Sequence, residues 1–476
     1  MTEFEIVYTL RAMRNWALAL FLLAASIMSR AETLVINHVA VIDVKRGMVV
    51  TDRAVTIRDA RIIKVESAHR FASRRDFRVV DGTGKFLIPG LWDMHVHVFN
   101  NGSQRPPSLW FLPVFVAVGV TGIREMWTNP DQLAQINAWR NDVASGKLIA
   151  PRIGAAGTLV DGTNLIWPKA PLAHNEAEAR AFVKMEKADG FDFVKVYSTL
   201  SREAYFAIAD ESRKEGIPFA GHIPVTIGAE EASGAGQRSA EHLFNISESC
   251  STREAEWLKK PTMTPQDRQA VLDTYDAPRC HSLLETFAKN STWQVPTLVQ
   301  EQTRTGDYKQ LSARDEMKLV PSAERSMWLD DATKREARVS PALAQTRQGF
   351  RLAHLKMVGD MQGAAVPLMA GSDVGNPFLV PGFSLHDEME LFVTAGLTPA
   401  EALRTATLNP AVFLNRTADF GTIDVGKIAD LVLLDKNPLI DIRNTRKIDA
   451  VVLNGRYLDR AELDHILKAA ELAAKD

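Results

Sequence analysis

The chain has 476 residues, of which 46% are hydrophobic and 24% charged, and 56 basic against 58 acidic residues leave a formal net charge of −2. This composition is typical of a soluble globular protein and excludes disordered, collagen-like and coiled-coil chains. A near-neutral charge without long basic runs gives no electrostatic footprint for nucleic acid, so we expect no nucleic-acid partner.

An uncharged apolar stretch, WALALFLLAASIM at 16–28, follows a basic start. It is too short to span a bilayer core of about 30 Å, and the small residues within 29–31 match a signal-peptidase exit. We therefore predict a signal peptide over 1–31, a secreted or periplasmic location, and no stable membrane insertion of the mature chain. A buried N-terminal helix is the alternative, and translation starts at Met1 or Met13.

Cys250 and Cys280 are the two cysteines of the chain. An oxidising compartment would allow them to form one disulfide, provided that their Cα atoms lie close enough. Two separate buried thiols are an equal alternative from the sequence.

Short runs rich in Val, Ile and Thr, separated by glycine turns, occupy both ends of the chain and indicate β-strands. They lie at 33–43, 55–67 and 77–90, and again at 427–435 and 447–459. Because both ends of the chain contain such β-type runs and the centre does not, we predict a small β-sandwich domain built from residues 32–87 and 418–460.

Between these ends, apolar runs alternate with stretches of helical periodicity such as 176–188 and 202–216. The runs that we interpret as strands are 86–98, 119–125, 152–157, 192–198, 218–224, 239–244, 293–299 and 367–373. Strand–helix alternation implies parallel pairing, and eight such units imply a (β/α)8 barrel. The sequence therefore predicts an α/β fold with a TIM-like barrel over residues 88–417.

Two longer segments, at about 245–290 and 300–365, are rich in charged residues and helix formers. We expect helical insertions at the active-site face of the barrel, where they would cap a substrate; plain scaffold is an equal alternative for the second. The capping box at 398–401 predicts a helix running to about residue 414. A terminal amphipathic helix is predicted at 461–476.

Residues that bind metals recur near the ends of the predicted strands. His95 and His97 end the first strand, and residues i and i+2 of a strand point to the same face, so both imidazoles can approach one ion. His222 and His242 lie where later strands end, and Asp373 follows the last one. Each alone has a structural alternative, such as a core histidine or a helix cap, but their shared position favours a metal site.

Lys195 lies in an apolar strand, DFVKVYS, where burial of an unpaired ammonium group is costly. Its amine can reach solvent, pair with a carboxylate, or add carbon dioxide to become a carbamate. The carbamate is an anionic oxygen ligand able to bridge two cations, and two nearby metal ions favour it.

These motifs resemble the amidohydrolase superfamily, in particular its imidazolonepropionase-like and prolidase-like (Xaa-Pro dipeptidase-related) branch. The resemblance covers about residues 81–440 and rests on IPGLWDMHVHV, GVTGIRE, FVKVYS, GHIP, SAEH, WQVPTLV, AGSD, GFSLHDEMELFV, GLTPAEALRTATLNPAVFL and FGTIDVGKIADLVLLDKNP. Glu125 stands where the family often has Asp, and Met126-Trp127 replaces its usual Met-Gly. Neither position is a metal ligand, so we expect these departures to affect substrate fit.

The resemblance implies two divalent metal ions, most often zinc, bridged by an N6-carboxylysine at Lys195. The more buried ion would be held by His95, His97 and Asp373, and the other by His222 and His242. Water activated by the ions would attack a substrate carbonyl. Asp373 would accept the proton of that water and deliver it to the leaving nitrogen.

Tyr197 is a second catalytic candidate, because it lies two residues after Lys195 on the same strand face. Its hydroxyl would stabilise the oxyanion or bind a substrate carboxylate, and packing is an equal alternative. For His386 and Glu388, on a predicted helix, a solvated face or a fold-supporting bond is favoured over a catalytic role.

The leading hypothesis is a secreted metallo-hydrolase that cleaves a carbon–nitrogen bond in a small-molecule substrate, such as a dipeptide or an N-acyl amino acid. A second hypothesis keeps the metals and changes the substrate to a lactone, a cyclic amide or a phosphoester. A third is a non-catalytic binding module, but such a module needs neither a base at Asp373 nor a carbamate at Lys195. The sequence leaves homo-oligomerisation open.

Overall fold

The computed structural model describes residues 33–99, 111–162, 170–260 and 262–475. The predicted signal peptide, 1–31, lies outside the described residues, so secretion stays a prediction. Within the described ranges, no helix is both long and apolar enough to cross a membrane.

The strands are, in chain order, β1 (Thr33–Asp43), β2 (Met48–Arg58), β3 (Arg61–Ser67), β4 (Phe77–Asp81), β5 (Phe86–Pro89), β6 (Leu91–Val96), β7 (Val120–Glu125), β8 (Arg152–Ala155), β9 (Val194–Val196), β10 (Phe219–Gly221), β11 (Ser239–Glu241), β12 (Trp293–Val295), β13 (Leu431–Leu434), β14 (Ile448–Leu453) and β15 (Arg456–Leu458).

The α-helices are α1 (Phe111–Ala117), α2 (Pro130–Ala144), α3 (Glu176–Asp189), α4 (Arg202–Glu215), α5 (Ala229–Gly234), α6 (Ile246–Ser249), α7 (Glu254–Trp257), α8 (Pro265–Asp273), α9 (Ala277–Asn290), α10 (Leu298–Thr305), α11 (Tyr308–Ser312), α12 (Ser322–Glu336), α13 (Pro341–Gly363), α14 (Phe383–Thr394), α15 (Pro399–Thr405), α16 (Leu408–Phe413) and α17 (Arg460–Ala473). Short 3-10 turns lie at Ala68–Arg70, Asp315–Leu319 and Ile442–Arg446.

Strands from both ends of the chain share one eight-stranded sheet, in the order β15-β14-β13-β5-β1-β2-β3, with β4 beside β1. Alternate apolar side chains of these strands face one side, as period-two patterning requires. They form a separate apolar cluster that includes Ile36, Val55, Ile62, Leu433 and Val452. Because β3 and β13 lie far apart in the strand order yet contribute to the same cluster, the sheet curves around a core of its own.

The centre of the chain contains two parallel sheets, β6-β7-β8 and β9-β10-β11-β12. Isolated parallel bridges connect Ala156 with Phe193, beside the gap between β8 and β9, and Gln294 with Leu368 on the far side. The segment 367–374 continues to β6, since Met94 N donates to Ala370 O at 3.0 Å.

Two predicted strands differ from the structure. The run 86–98 is divided at Gly90, because β5 pairs with β1 and β13 of the terminal sheet while β6 pairs with β7. The run 367–373 forms single bridges instead of a regular strand. Its regular pairing is interrupted because Ala370 N donates to Thr405 O, at 3.1 Å.

The helices between the parallel strands follow the predicted periodicity and have defined ends. Asn175 caps α3 by accepting a hydrogen bond from Glu178 N, and Thr398 caps α15 through the predicted capping box with Glu401. The predicted helix to residue 414 is two helices, α15 and α16. The break follows Thr405, where Trp92 N takes the Ala406 carbonyl as its acceptor at 2.8 Å.

The long segments after β11 and β12 are helical. Helices α6–α9 follow β11, and α10–α13 follow β12. Cys250, just after α6, forms a disulfide with Cys280 of α9, with Cα atoms 4.5 Å apart. The alternative of two separate thiols is therefore wrong, and the disulfide fixes α9 to the end of α6.

Candidate metal centre

The predicted metal ligands come together at the end of the two parallel sheets. Most of them line a single cavity of about 570 Å³: His97, Lys195, His222, His242 and Asp373. His95 is completely buried next to them, with its Nε2 atom 3.5 Å from Asp373 Oδ1. The structure thus brings all the predicted ligands to one site, as expected for residues at the carboxyl ends of parallel strands.

The Asp373 carboxylate is the centre of this group. Its Oδ1 atom lies 3.3 Å from His97 Nε2 and 3.5 Å from His95 Nε2, and its Oδ2 atom lies 4.0 Å from His242 Nδ1. Ligand atoms of His95, His242 and Asp373 all lie within 4.8 Å of one another. Carboxylate and imidazole donors at this spacing suit a divalent transition metal.

Two buried atoms in the group have no hydrogen-bond partner in the described structure: His95 Nε2 and Asp373 Oδ1. A buried polar atom without a partner costs free energy and is rare in folded proteins. A cation between the histidines and the carboxylate would satisfy both atoms. The residues present therefore fit the metal that the donor set implies.

Three of the imidazoles at the site are held neutral. Burial keeps the pKa values of His95, His222 and His242 well below the ordinary value. The neutral imidazole is the form that binds metals through a nitrogen lone pair. The low pKa values therefore favour coordination over protonation.

Hydrogen bonds orient these imidazole rings. The Nδ1 atom of His222 lies 2.7 Å from Ser198 Oγ, and that of His242 lies 2.7 Å from Thr297 Oγ1. Such partners fix the ring orientation and leave the other nitrogen for a metal.

Lys195 lies on β9 with only 1% of its surface exposed. Burial lowers its pKa to about 8, and it forms no ion pair with a carboxylate in the described part of the chain. Exposure this low excludes an amine that reaches bulk solvent. Modification of the Lys195 amine stays a prediction.

A buried pair that the sequence analysis missed supports His95. Glu241 Oε2 accepts a hydrogen bond from His95 Nδ1 at 2.8 Å, and both oxygens of Glu241 accept from Arg124 Nη2 at 2.9 Å. All three side chains are completely buried. The sequence did contain a signal for this pair, since Arg124 and Glu241 are charged residues inside apolar strands and Glu241 directly precedes His242.

Asp93 is a second supporting residue that the sequence analysis missed. Its Oδ1 atom accepts from the backbone of Ser372 at 2.9 Å and of His95 at 3.2 Å, and its Oδ2 atom accepts from Ser372 Oγ at 2.5 Å. Burial raises the pKa of Asp93 to about 7. Asp93 thus connects the strand of His95 to the segment of Asp373.

Glu125 supports the backbone near His97. Its carboxylate accepts hydrogen bonds from Val98 N and Trp127 N and is completely buried, and burial raises its pKa to about 7. Neither Glu125 nor Met126 lines the cavity, so their predicted effect on substrate fit stays a prediction. Trp127 does line it.

The backbone is strained at two of the ligands. His242 and Asp373 have left-handed φ values of 63° and 61°, which are uncommon for residues with a Cβ atom and recur at functional sites. Gly375, with φ of 114°, lies so close to His97 that an added Cβ atom would be 2.7 Å from His97 Cβ. A glycine is therefore required where this loop approaches the ligand.

The remaining sequence candidates divide into two kinds. Tyr197 lines the cavity, with its ring centroid 4.0 Å from that of His222. His386 and Glu388 lie on α14 and are buried, so the solvated-face alternative is wrong. The fold-supporting alternative agrees with the structure, since Glu388 accepts from the backbone of Leu298 and Val299 at 3.0 and 2.7 Å.

The sequence profile of the Amidohydrolase family matches residues 86–458. The chain belongs to the amidohydrolase family. This match includes every predicted metal ligand and confirms the resemblance inferred from the motifs.

Individual proteins are similar to this amidohydrolase over different lengths. An imidazolonepropionase from Geobacillus sp. (strain WCH70) is 44% identical over 100 residues, which is 20% of this chain and 23% of the relative. The chain therefore matches less than a quarter of the length of that curated relative.

Two solved structures share the fold over nearly the whole chain. A bottromycin amidohydrolase has a TM-score of 0.72 at 23% identity and covers 94% of this chain and 91% of its own. A Xaa-Pro dipeptidase with bound methionine in the active site has a TM-score of 0.64 at 19% identity. The alignment covers 90% of this chain and 100% of the dipeptidase. At these identities the likeness shows the fold.

Proposed function

We propose that this chain is a secreted or periplasmic binuclear metal-dependent hydrolase that cleaves a carbon–nitrogen bond in a small molecule. The observation that carries the proposal is the convergence of four histidines, Asp373 and Lys195 on one site. In the same site, His95 Nε2 and Asp373 Oδ1 have no hydrogen-bond partner among the described residues. A non-catalytic binding module would not need this combination.

The fold that we infer is a (β/α)8 barrel beside a small β-sandwich. The two parallel sheets and the segment 367–374 supply eight strand positions. A bridge between Ala156 and Phe193 links the sheets on one side, and on the other side the segment 367–374 forms bridges to Gln294 of β12 and Val96 of β6. The terminal sheet, with its own core, supplies the sandwich. In such a barrel, the metal ligands would lie at the catalytic end.

Two divalent ions, which we propose to be zinc, would be held by the imidazoles, Asp373 and an N6-carboxylated Lys195 as bridge. When bound, such ions lower the pKa of a water molecule and polarise a substrate carbonyl. Lys195 is suited to the bridging role because its buried amine loses its proton more readily than an exposed lysine does.

The protein's own residues would move the proton and hold the substrate. Asp373, whose oxygens face the cavity between His97 and His242, would accept a proton from the attacking water and deliver it to the leaving nitrogen. Tyr197, packed on His222 at the cavity wall, would stabilise the charge that develops on the carbonyl oxygen. Trp127 and Phe244 would exclude water from the bound substrate.

The substrate that we propose is a dipeptide or an N-acyl amino acid. A cavity of about 570 Å³ is suited to a small molecule. A structure described as a Xaa-Pro dipeptidase has the same fold over 90% of the chain. These two observations favour an amide bond next to an amino acid.

The test is hydrolysis of a panel of dipeptides, N-acyl amino acids and lactones by the purified protein, with and without a chelator. We expect turnover of an amide substrate that the chelator abolishes and added zinc restores. Turnover of lactones alone would reassign the substrate, and chelator-resistant turnover would contradict the metal mechanism. Asp373→Asn, purified in parallel, shows whether any activity belongs to this site.

A further inference from the structure

Four arginines from four helices meet in a second cavity beside the metal site. They are Arg268 of α8, Arg304 of α10, Arg335 of α12 and Arg347 of α13. The cavity has a volume of about 300 Å³, and all four helices belong to the segments inserted after β11 and β12. We call this group the arginine pocket.

The charge of the arginine pocket is poorly balanced by the protein. In the described structure, Arg268, Arg304 and Arg347 form no ion pair, and Arg335 has only Asp331, at 3.6 Å. The cavity also contains Glu248 and Glu301. Glu301, however, already accepts a hydrogen bond from His354 at 3.0 Å.

Repulsion among the guanidinium groups contributes to lower pKa values for two of them, Arg347 and Arg304. Burial, followed by repulsion from Arg304, Arg335 and Arg268, lowers the pKa of Arg347. Partial desolvation and repulsion from Arg335 and Arg268 also lower the pKa of Arg304, whereas attraction to Asp373 and Glu301 opposes this shift. Like charges held together with incomplete compensation cost folding free energy, and a bound anion would offset part of that cost. Solvent screens part of the repulsion, because Arg268 and Arg304 are exposed.

The arginine pocket is continuous with the cavity of the metal site. Both cavities share His242, Phe244, Gln300, Arg304 and Arg335. A molecule whose reacting bond lies at the metal site can therefore extend past the His242 ring towards Arg347. The pocket is positioned to bind the distal part of a substrate.

We propose that the arginine pocket is a specificity subsite for an acidic side chain, so that the preferred substrate is a dipeptide or N-acyl derivative of glutamate or aspartate. One guanidinium group can bind one carboxylate in a bidentate manner. Four guanidinium groups are more than a single carboxylate needs, and they suit an amino acid with two. This inference rests on the proposed function, whose amide substrate it specifies.

The test compares substrates that differ only in charge. The ratio of kcat/KM for Ala-Glu over Ala-Gln, and for N-acetylglutamate over N-acetylglutamine, is measured with zinc-loaded wild type, Arg347→Gln and Arg268→Gln. Arg338→Gln is the matched control, since Arg338 is exposed on the same insertion and does not line either cavity. Metal content is measured for every variant.

We expect wild type to prefer the acidic member of each pair. Arg347→Gln should lower that preference by about tenfold or more, the usual effect of losing a hydrogen bond between charged groups, with metal content unchanged. Arg338→Gln should retain the wild-type ratio. Equal turnover of acidic and neutral substrates by wild type would overturn the subsite while leaving the hydrolase proposal intact.

A binding measurement separates the two proposals if no substrate is hydrolysed. Isothermal titration of L-glutamate, L-glutamine and inorganic phosphate into wild type and Arg347→Gln should show glutamate binding that the variant loses. That result would support the subsite even in a protein without hydrolase activity. Binding of phosphate in preference to glutamate, or glutamate binding that Arg347→Gln retains, would overturn the assignment.

Discussion

Glu241 accepts a hydrogen bond from His95 Nδ1 at 2.8 Å while it is held by Arg124 at 2.9 Å. A neutral imidazole carries one proton, and a carboxylate partner draws that proton to Nδ1. The lone pair of His95 is then on Nε2, the atom that faces Asp373 at 3.5 Å. The orientation of a proposed metal ligand thus depends on a carboxylate that is not itself one of the proposed ligands.

This relationship predicts that Glu241→Gln weakens metal binding. The amide cannot accept strongly from both His95 and Arg124, and losses of about 10- to 100-fold in metal affinity are typical for such partners. Zinc retained after dialysis against graded chelator measures the effect. Glu230→Gln, at an exposed position on α5, is the matched control. Unchanged affinity in Glu241→Gln would contradict the orienting role.

Asp373→Asn is expected to abolish turnover while most of the metal remains bound. The amide can still coordinate through oxygen but cannot accept the proton of the attacking water, and general acid–base catalysis contributes about 100-fold or more. kcat on the best amide substrate and zinc per chain are measured on the same preparation. Full activity would remove Asp373 from proton transfer, whereas simultaneous loss of metal would make it a ligand only.

The disulfide between Cys250 and Cys280 closes a segment of the first helical insertion. Cys250→Ser with Cys280→Ser should lower the free energy of unfolding by about 4 kcal/mol, the size expected for a loop of this length. Urea unfolding of the double variant and of reduced wild type should give the same value. If reductant leaves the wild-type transition unchanged, the bond is absent from the purified protein.

His386 predicts a specific pH dependence of stability. Burial lowers its pKa from 6.5 to about 3, so between these values the unfolded chain binds a proton that the folded chain does not. Falling pH therefore favours unfolding, by about 1.4 kcal/mol per pH unit within that window.

His386→Gln should remove this contribution. Between pH 6.5 and pH 5, the free energy of unfolding of wild type should fall by about 2 kcal/mol more than that of the variant. Urea unfolding at both pH values measures the difference, and His465→Gln, at an exposed position on α17, is the control. Equal pH dependence in His386→Gln and wild type would show that His386 is protonated in the folded chain.

Much of the metal site could be predicted from the sequence because strand geometry determines it. His95 and His97 share a face by alternation, and His222 and His242 follow strands that pair in parallel. Because the strands run parallel, these histidines lie at the same end of the sheets. Lys195 was identified because a charged side chain inside an apolar strand needs an explanation.

The supporting contacts could not be predicted in the same way. Glu241 reaches Arg124 across 117 positions of the chain, and no local pattern pairs two such residues. The segment 367–374 follows an apolar pattern typical of a strand, yet tertiary contacts with Thr405 interrupt its regular pairing. The arginine pocket could not be predicted either, because its arginines come from four helices whose packing cannot be read from the sequence.

Metal analysis of the purified full chain tests most directly whether these residues hold metal ions. Plasma mass spectrometry of protein dialysed without chelator should find close to two zinc ions per chain, and fewer in a variant carrying His222→Ala and His242→Ala. Wild-type protein without tightly bound metal, both as purified and after incubation with zinc, would contradict the account.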